Sequence, residues 1–347
     1  MLIGQPIEKW LGLEMIRIKG RGAVYGEIWY DEELPRDPGV DIVLYRQRDV
    51  PIPNARTTPF LTMVTDLSVT EGAITEKFGK DCRYKIRRAE ARDELRMEFI
   101  MAPEDRLDEF RAFFDAFARE KSFWPCDHQW LLAACQARQL VLTSASRNGE
   151  ALVWHAYLIS GKAVWLQYTG SCFRNKDNDY RALIGRANRW LHWKEMLGFK
   201  ETGIERYDWG GLFEDESVPG NAGINKFKRD FGGRQVRTYD CALPVTLKGR
   251  IWLALREAWR RRNSVRPAGA RSGSPDLSAK DETVFRPQGH LADKRAIVDC
   301  GVLGPGEAPQ SRLDFDRPAR GRGVDEHGAV LKIATPNPVT PRGGRRP

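Results

Sequence analysis

Beyond residue 262 this 347-residue chain has almost no aromatic side chains. All 11 Trp lie between Trp10 and Trp259 and all 9 Tyr before position 240, so the last stretch keeps only Phe285 and Phe315. Ten of the 20 Pro fall there. Such a segment cannot bury enough apolar area to offset its ordering entropy. The expectation is a disordered tail over 263–347 and a folded part over 1–262. Metal and dithiol motifs are missing too. None of Cys82, Cys126, Cys135, Cys172, Cys241 and Cys300 forms a CxxC, and no His stands at metal-ligand spacing. That predicts free buried thiols in a reducing compartment and no metal. No run approaches ~18 uninterrupted apolar residues, so no transmembrane helix is expected. The start, MLIGQPIEKW, lacks a basic region ahead of an apolar one, so no signal peptide is expected. The cytoplasm, or the inner face of the membrane, is the location these absences imply. No repeat of fixed period is visible, which excludes solenoids and propellers.

Charge is modest once the tail is set apart. The net charge is +9, but the tail holds 14 Lys/Arg against 10 Asp/Glu, leaving 42 against 37 in the folded part. That excess suits anionic small molecules as well as nucleic acid and establishes neither.

What is present is a regular alternation. Short strands are predicted at Met15–Lys19, Ala23–Tyr30, Asp41–Arg46 and Pro59–Asp66, punctuated by Pro35, Pro38, Pro51 and Pro53. Thr75–Arg92 reads as one basic helix. A strand at Leu95–Met101 precedes a helix over Pro103–Lys121 with Pro103 as its first residue, and a second helix over Asp127–Ala137. Strands follow at Leu140–Arg147, Ala151–Ser160 and Ala163–Thr169, the first pair joined by the type I′ signal Asn148-Gly149. Then come a helix over Tyr180–Lys200, a strand at Arg206–Trp209, a helix over Ala222–Asp230 and a strand at Arg234–Ala242. Three hairpin-linked strands with a crossover helix to another strand predict a mixed α+β sheet with helices on both faces.

Three stretches carry a family resemblance: KDCRYKIRRAE at Lys80–Glu90, RYDWGG at Arg206–Gly211 and INKFKRDFGG at Ile224–Gly233. In this order the chain resembles the GNAT acyltransferases over about residues 93–243, and within them the Fem-type and BioF-like branch. The resemblance implies a GNAT-type mixed sheet flanked by helices. The expected layout is a smaller, degenerate β-rich subdomain over 1–92 with its basic helix, a transferase domain over 93–245, an amphipathic helix over 246–262 and the tail.

Candidate residues follow. A helix start leaves amides unpaired and carries positive partial charge, so Tyr180–Ala187 is read as a phosphate site. Gly185 would admit a pyrophosphate, with Arg181, Arg186 and Arg189 adding charge and Gly185-Arg186-Ala187 matching half of the GNAT pyrophosphate motif. The other reading is a Gly that permits close helix packing. In the resembled fold the strand end at Tyr168, Gly170 and Ser171 holds the acyl thioester. Asp208, at a strand's carboxyl end between Tyr207 and Trp209, is read as a general base or as a cap. By resemblance Lys228 stabilises the oxyanion, against a solvated helix lysine. His155 shares a strand face with Val153, Tyr157 and Ile159, as a base or a satisfied core residue. His192, between two Trp, is read as packing. Arg83, Arg87 and Arg88 would meet substrate phosphates or form a solvated face. Along Leu247–Arg262, Leu247, Ile251, Trp252, Leu255 and Trp259 are read as one apolar face, docked on the core or resting on an anionic membrane.

The expected activity is acyl transfer from acetyl-CoA or another acyl-CoA to an amine, on a small-molecule or cell-envelope precursor. The alternatives are a tRNA-dependent aminoacyltransferase of the peptidoglycan bridge-forming type and a non-catalytic membrane-associated module.

Overall fold

The computed structural model describes residues 14–30, 33–121, 123–171, 177–218 and 220–264. The expected tail therefore lies outside the described residues, as do Cys172 and Cys300.

The strands are β1 (Ile16–Lys19), β2 (Val24–Trp29), β3 (Ile42–Arg48), β4 (Arg56–Asp66), β5 (Arg96–Ile100), β6 (Leu140–Arg147), β7 (Glu150–Ser160), β8 (Ala163–Ser171), β9 (Arg206–Gly211) and β10 (Arg234–Pro244). The helices are α1 (Glu71–Glu76), α2 (Lys80–Arg92), α3 (Leu107–Lys121), α4 (His128–Gln136), α5 (Asn178–Glu201), α6 (Asn221–Arg229) and α7 (Leu247–Ser264). All ten strands form one sheet in the order β1-β2-β3-β10-β4-β9-β8-β7-β6-β5. Only β2–β3 and β8–β9 are parallel pairs. The sheet spans the expected boundary between subdomain and transferase domain, because β10 inserts between β3 and β4 and pairs with both.

Alternation along β7 sorts the two layers. Trp154, Ala156 and Leu158 join the core under α3 and α4, where Phe110, Phe114, Phe117, Trp130 and Leu131 are buried. Tyr157 and Ile159 face the other layer with Trp193, Met196 and Phe199 of α5, Phe227 of α6 and Ile86 of α2. The Asn148-Gly149 turn has both φ angles positive, at 52 and 82, as its type requires.

Two local expectations change. The basic segment breaks into α1 and α2 around Gly79, whose amide donates to the Asp230 carbonyl at 2.7 Å. Arg83 then donates to the Glu76 and Phe78 carbonyls at the end of α1, at 3.0 and 2.6 Å. These bonds satisfy carbonyls that a continuous helix would have paired internally. Pro103 does not open α3 either; a 3₁₀ turn at Glu104–Arg106 comes first.

Candidate active site

The site is built around an interrupted ladder. β8 and β9 run parallel but pair only through Ala163–Arg206, Val164–Tyr207 and Trp165–Asp208. Both strands then continue to Ser171 and Gly211 without further pairing to each other. Two bulges accompany the divergence. Gln167 is the extra residue of β8 against β7, and the stretch between Asp208 and Gly211 holds one residue more than its β4 partner. A bulge bends its strand and raises the local twist. Gly210 takes φ +72, and a Cβ there would stand 3.0 Å from the Leu166 carbonyl oxygen. A side chain is therefore opposed both by backbone conformation and by space. Parallel strands end at the same edge, and α5 begins seven residues after Ser171, so a helix start follows directly on the opening.

Asp208 and Lys228 meet β9 from opposite faces. Asp208 is 0% exposed. Its Oδ1 accepts from the Gly210 amide at 3.0 Å and faces the Thr62 hydroxyl, and its Oδ2 accepts from Arg206 at 3.2 Å. Burial pushes this carboxyl up from the usual range, opposed by Arg206, Thr62 and the Gly210 amide. The Thr62 hydroxyl also reaches the Gly210 carbonyl at 2.8 Å. Lys228, also 0% exposed, donates to the Gly211 carbonyl at 2.7 Å. Its Nζ lies 3.9 Å from where a Gly210 Cβ would stand.

The start of α5 is more acidic than its arginines suggest. Asp177 caps it, accepting from the Tyr180 amide at 2.7 Å, and Asp179 stands in the first turn. Gly185 lies seven residues past Asn178, in the helix body, where its amide belongs to the internal ladder. Arg186 is held by Asp93 through two bonds of 2.6 and 2.9 Å. Ala187 is buried against β6 and β7. Gly185, Arg186 and Ala187 are thus away from the helix start that the motif register implied. Arg181 is half-buried in the first turn.

Under α5 lies a buried polar cluster. Asn188, His192 and Glu195 are spaced i, i+4, i+7 and so face the sheet together. Glu195 Oε1 accepts from His155 at 2.7 Å and from Thr143, while Oε2 accepts from Tyr157 at 2.5 Å. The second nitrogen of His155 lies 3.0 Å from Asn188 Oδ1. His192 Nδ1 lies 2.8 Å from the Tyr207 hydroxyl, and the two imidazoles stack at 4.2 Å. Burial would raise the Glu195 carboxyl, but the two histidines hold it well below the carboxylate range. Burial, then the neighbouring His155, pushes His192 down to about 4. Burial, then Glu195, pushes Tyr157 up. The ligand atoms of His155, His192 and Glu195 lie within 4.8 Å of one another, the spacing a metal ion could use. The carboxylate oxygens, however, are already occupied by hydroxyls and imidazoles.

Residues 76–229 match the family model described as the acetyltransferase (GNAT) domain. The chain carries a GNAT acyltransferase domain. Among solved structures it is similar to FemX, at 12% identity and TM-score 0.50, covering 72% of this chain and 92% of that one. It is also similar to the C-terminal domain of a putative lysylphosphatidylglycerol synthetase from Agrobacterium fabrum, at 13% identity, 71% and 84% coverage and TM-score 0.43. A third is L-PGS from Bacillus licheniformis, at 13%, 73% and 92%, with TM-score 0.42. A search of curated proteins gives no match. At these identities the likeness is one of fold.

Within this GNAT domain the remaining candidates separate by surroundings. The Tyr168 ring packs on Phe114 at 4.9 Å and its hydroxyl accepts from the Asp127 amide at 3.0 Å, so its backbone alone borders the opening. Gly170 lies against Phe113, Phe114 and Phe117, and Ser171 is buried at the strand end. Arg83 is committed to α1, whereas Arg87 and Arg88 are exposed on α2. Sequence reasoning missed Glu195, Asn188, Tyr157, Tyr207 and Thr62. The polar i, i+4, i+7 spacing along α5 was the available signal for the first two. His192, read as packing, is part of a hydrogen-bonded network.

Proposed function

We propose that this chain transfers an acyl group from acyl-CoA to the amine of a cell-envelope or other small-molecule precursor. The supporting observation is the β8–β9 ladder that stops after three pairs, with bulges on both strands and α5 starting seven residues past the end of β8. Backbone groups of β8 that have left the β9 ladder beside such a gap can align a thioester as an added strand would. In this reading the amine attacks the thioester carbonyl, the carbonyl oxygen becomes an oxyanion and the thiolate departs. Lys228 supplies positive charge to the oxyanion, a role suited to a buried ammonium fixed at 2.7 Å from Gly211. Asp208 takes the amine's proton, helped by burial that raises its carboxyl above the usual carboxylate range. His155 holds α5 to β7 through Glu195 rather than meeting the acceptor. The location that goes with this reading is the cytoplasm and the inner membrane face.

A second donor is favoured by one observation. Asp177 and Asp179 place two carboxylates at the α5 start, which oppose a CoA pyrophosphate there. An aminoacyl-tRNA presents its phosphates elsewhere, and exposed Arg87 and Arg88 suit them.

Mass spectrometry of an amine acceptor incubated with acetyl-CoA, longer acyl-CoA or aminoacyl-tRNA tests these readings. An acyl mass shift with CoA donors supports the first. A shift only with aminoacyl-tRNA, abolished by ribonuclease, replaces it with the second. No transfer from any donor leaves a non-catalytic module of the same fold.

A further inference from the structure

Of the α7 face that the sequence reads as docked on the core or resting on a membrane, only Trp252 packs on the core among the described residues. Trp252 does dock: its indole packs over Gly22 and donates to the Tyr25 hydroxyl. Gly249 lies against the Asp41 carbonyl, where a Cβ would overlap the backbone. Half-buried Leu253 completes this docked side. The other apolar residues point away. Leu247 is 73% exposed, Ile251 53%, Leu255 60% and Trp259 55%. They stand four apart, each rotated by roughly 40° from the last, so they form one continuous stripe about 18 Å long. Exposed Ala254 and Ala258 lie within it. Four large apolar side chains on one exposed stripe are unlike the scattered surface residues of a monomer.

Charge selects the occupant. The sequence of α7 holds Lys248, Arg250, Arg256, Arg260, Arg261 and Arg262 against the single acid Glu257. Arg250 and Arg261 are exposed beside the stripe. A second copy would bring the same cationic helix to face this one. The remainder of the chain, 265–347, carries 14 Lys/Arg against 10 Asp/Glu and is also net positive. Neither complements the surface. A bilayer containing anionic lipid does, since apolar side chains enter the headgroup boundary while flanking arginines meet phosphates, and a Trp sits at the interface. No helix among the described residues is long and apolar enough to cross a membrane.

We propose that α7 is an interfacial helix that rests the protein on an anionic membrane surface through Leu247, Ile251, Leu255 and Trp259. Binding does not depend on the donor or the acceptor, so this inference stands or falls apart from the transfer reaction. The test is co-sedimentation of the full chain with vesicles of phosphatidylglycerol and phosphatidylcholine, or of phosphatidylcholine alone. The wild type is expected to bind the anionic vesicles at least tenfold more tightly, and less at high salt. The combined variant Leu247→Ser, Ile251→Ser, Leu255→Ser, Trp259→Ser should lose that binding while keeping its thermal midpoint, because the four side chains touch solvent. Arg250→Gln with Arg261→Gln should weaken binding several-fold. Equal sedimentation of wild type and combined variant overturns the proposal. So does a wild-type dimer that the combined variant turns into a monomer, which would make a second copy the occupant. Absence of vesicle binding alongside capture of an acidic protein partner overturns it as well.

Discussion

The two faces of the sheet are held by different physics. Under α3 and α4 the contacts are aromatic and apolar, with Phe110, Phe114, Phe117 and Trp154 buried together. Under α5 an ionised Glu195 is surrounded by two imidazoles and three hydroxyls, from Thr143, Tyr157 and Tyr207. Burial of apolar surface is strong but non-directional. Hydrogen bonds inside a low-dielectric core fix positions, because each one left unmade costs the full desolvation of its group. The directional face is the one that joins β7 to β9 through α5, and β9 is the strand that leaves β8 at the proposed site. The apolar face supplies stability, and the polar face sets where the opening stands.

This contrast can be broken most severely on the apolar side. Phe114→Ala is expected to cost about 3–5 kcal/mol of unfolding free energy, by lost transfer energy plus the cavity left behind. Denaturant titrations at several pH values should show the same loss at each.

The chemistry comes next. Lys228→Met keeps the packed stem and removes the charge. It should lower turnover about a hundred- to a thousand-fold, roughly 2–4 kcal/mol, with donor affinity little changed, because the oxyanion exists only in the transition state. Unchanged turnover would remove Lys228 from the mechanism.

Acid should act on the polar face alone. The folded His192 value is depressed from 6.5 to about 4, so below the ordinary value the unfolded chain binds a proton that the native state refuses. Stability is therefore full above pH ~6.5 and falls as pH drops toward 4, by at most about 3 kcal/mol. The depressed Glu195 carboxyl adds a loss of the same sign below its ordinary value of 4.5. Glu195→Gln should cost roughly 2–3 kcal/mol at neutral pH, by loss of charge-assisted bonds, and flatten the acid limb. A limb that survives in this variant but disappears in Phe114→Ala would invert the assignment of the two faces.

The smallest change tests the donor. Arg87→Gln with Arg88→Gln lies on an exposed helix face and should alter stability by less than about 0.5 kcal/mol. Under the CoA reading turnover is unchanged; under the tRNA reading affinity falls and its salt dependence lessens.

Much of the fold was legible. The β6–β7–β8 hairpins, α5, β9, α6 and β10 follow from alternation, helical spacing and the Asn148-Gly149 turn, since these signals are local. The break at Gly79 was not, because it rests on bonds to Asp230 and to Arg83. The place of Gly185 in the helix body was hidden for a related reason. A Gly-x-Ala spacing says that a backbone can be approached, yet α5 starts seven residues earlier, at a cap set by Asp177. The pairing of Asp208 with Thr62 joins residues 146 apart and leaves no periodic trace.

By itself the sequence determined which of the described segments form helix or strand, and that the chain carries the acyltransferase pattern, because side-chain chemistry and period act over a few residues. Tertiary structure alone decided that β10 slots between β3 and β4, that β8 and β9 part after three pairs, and that His155, His192 and Glu195 share one network. It also decided that α7 turns its apolar stripe outward. Hydrophobic periodicity specifies that a face exists, but which neighbour covers it is settled only when all the faces compete for the same core.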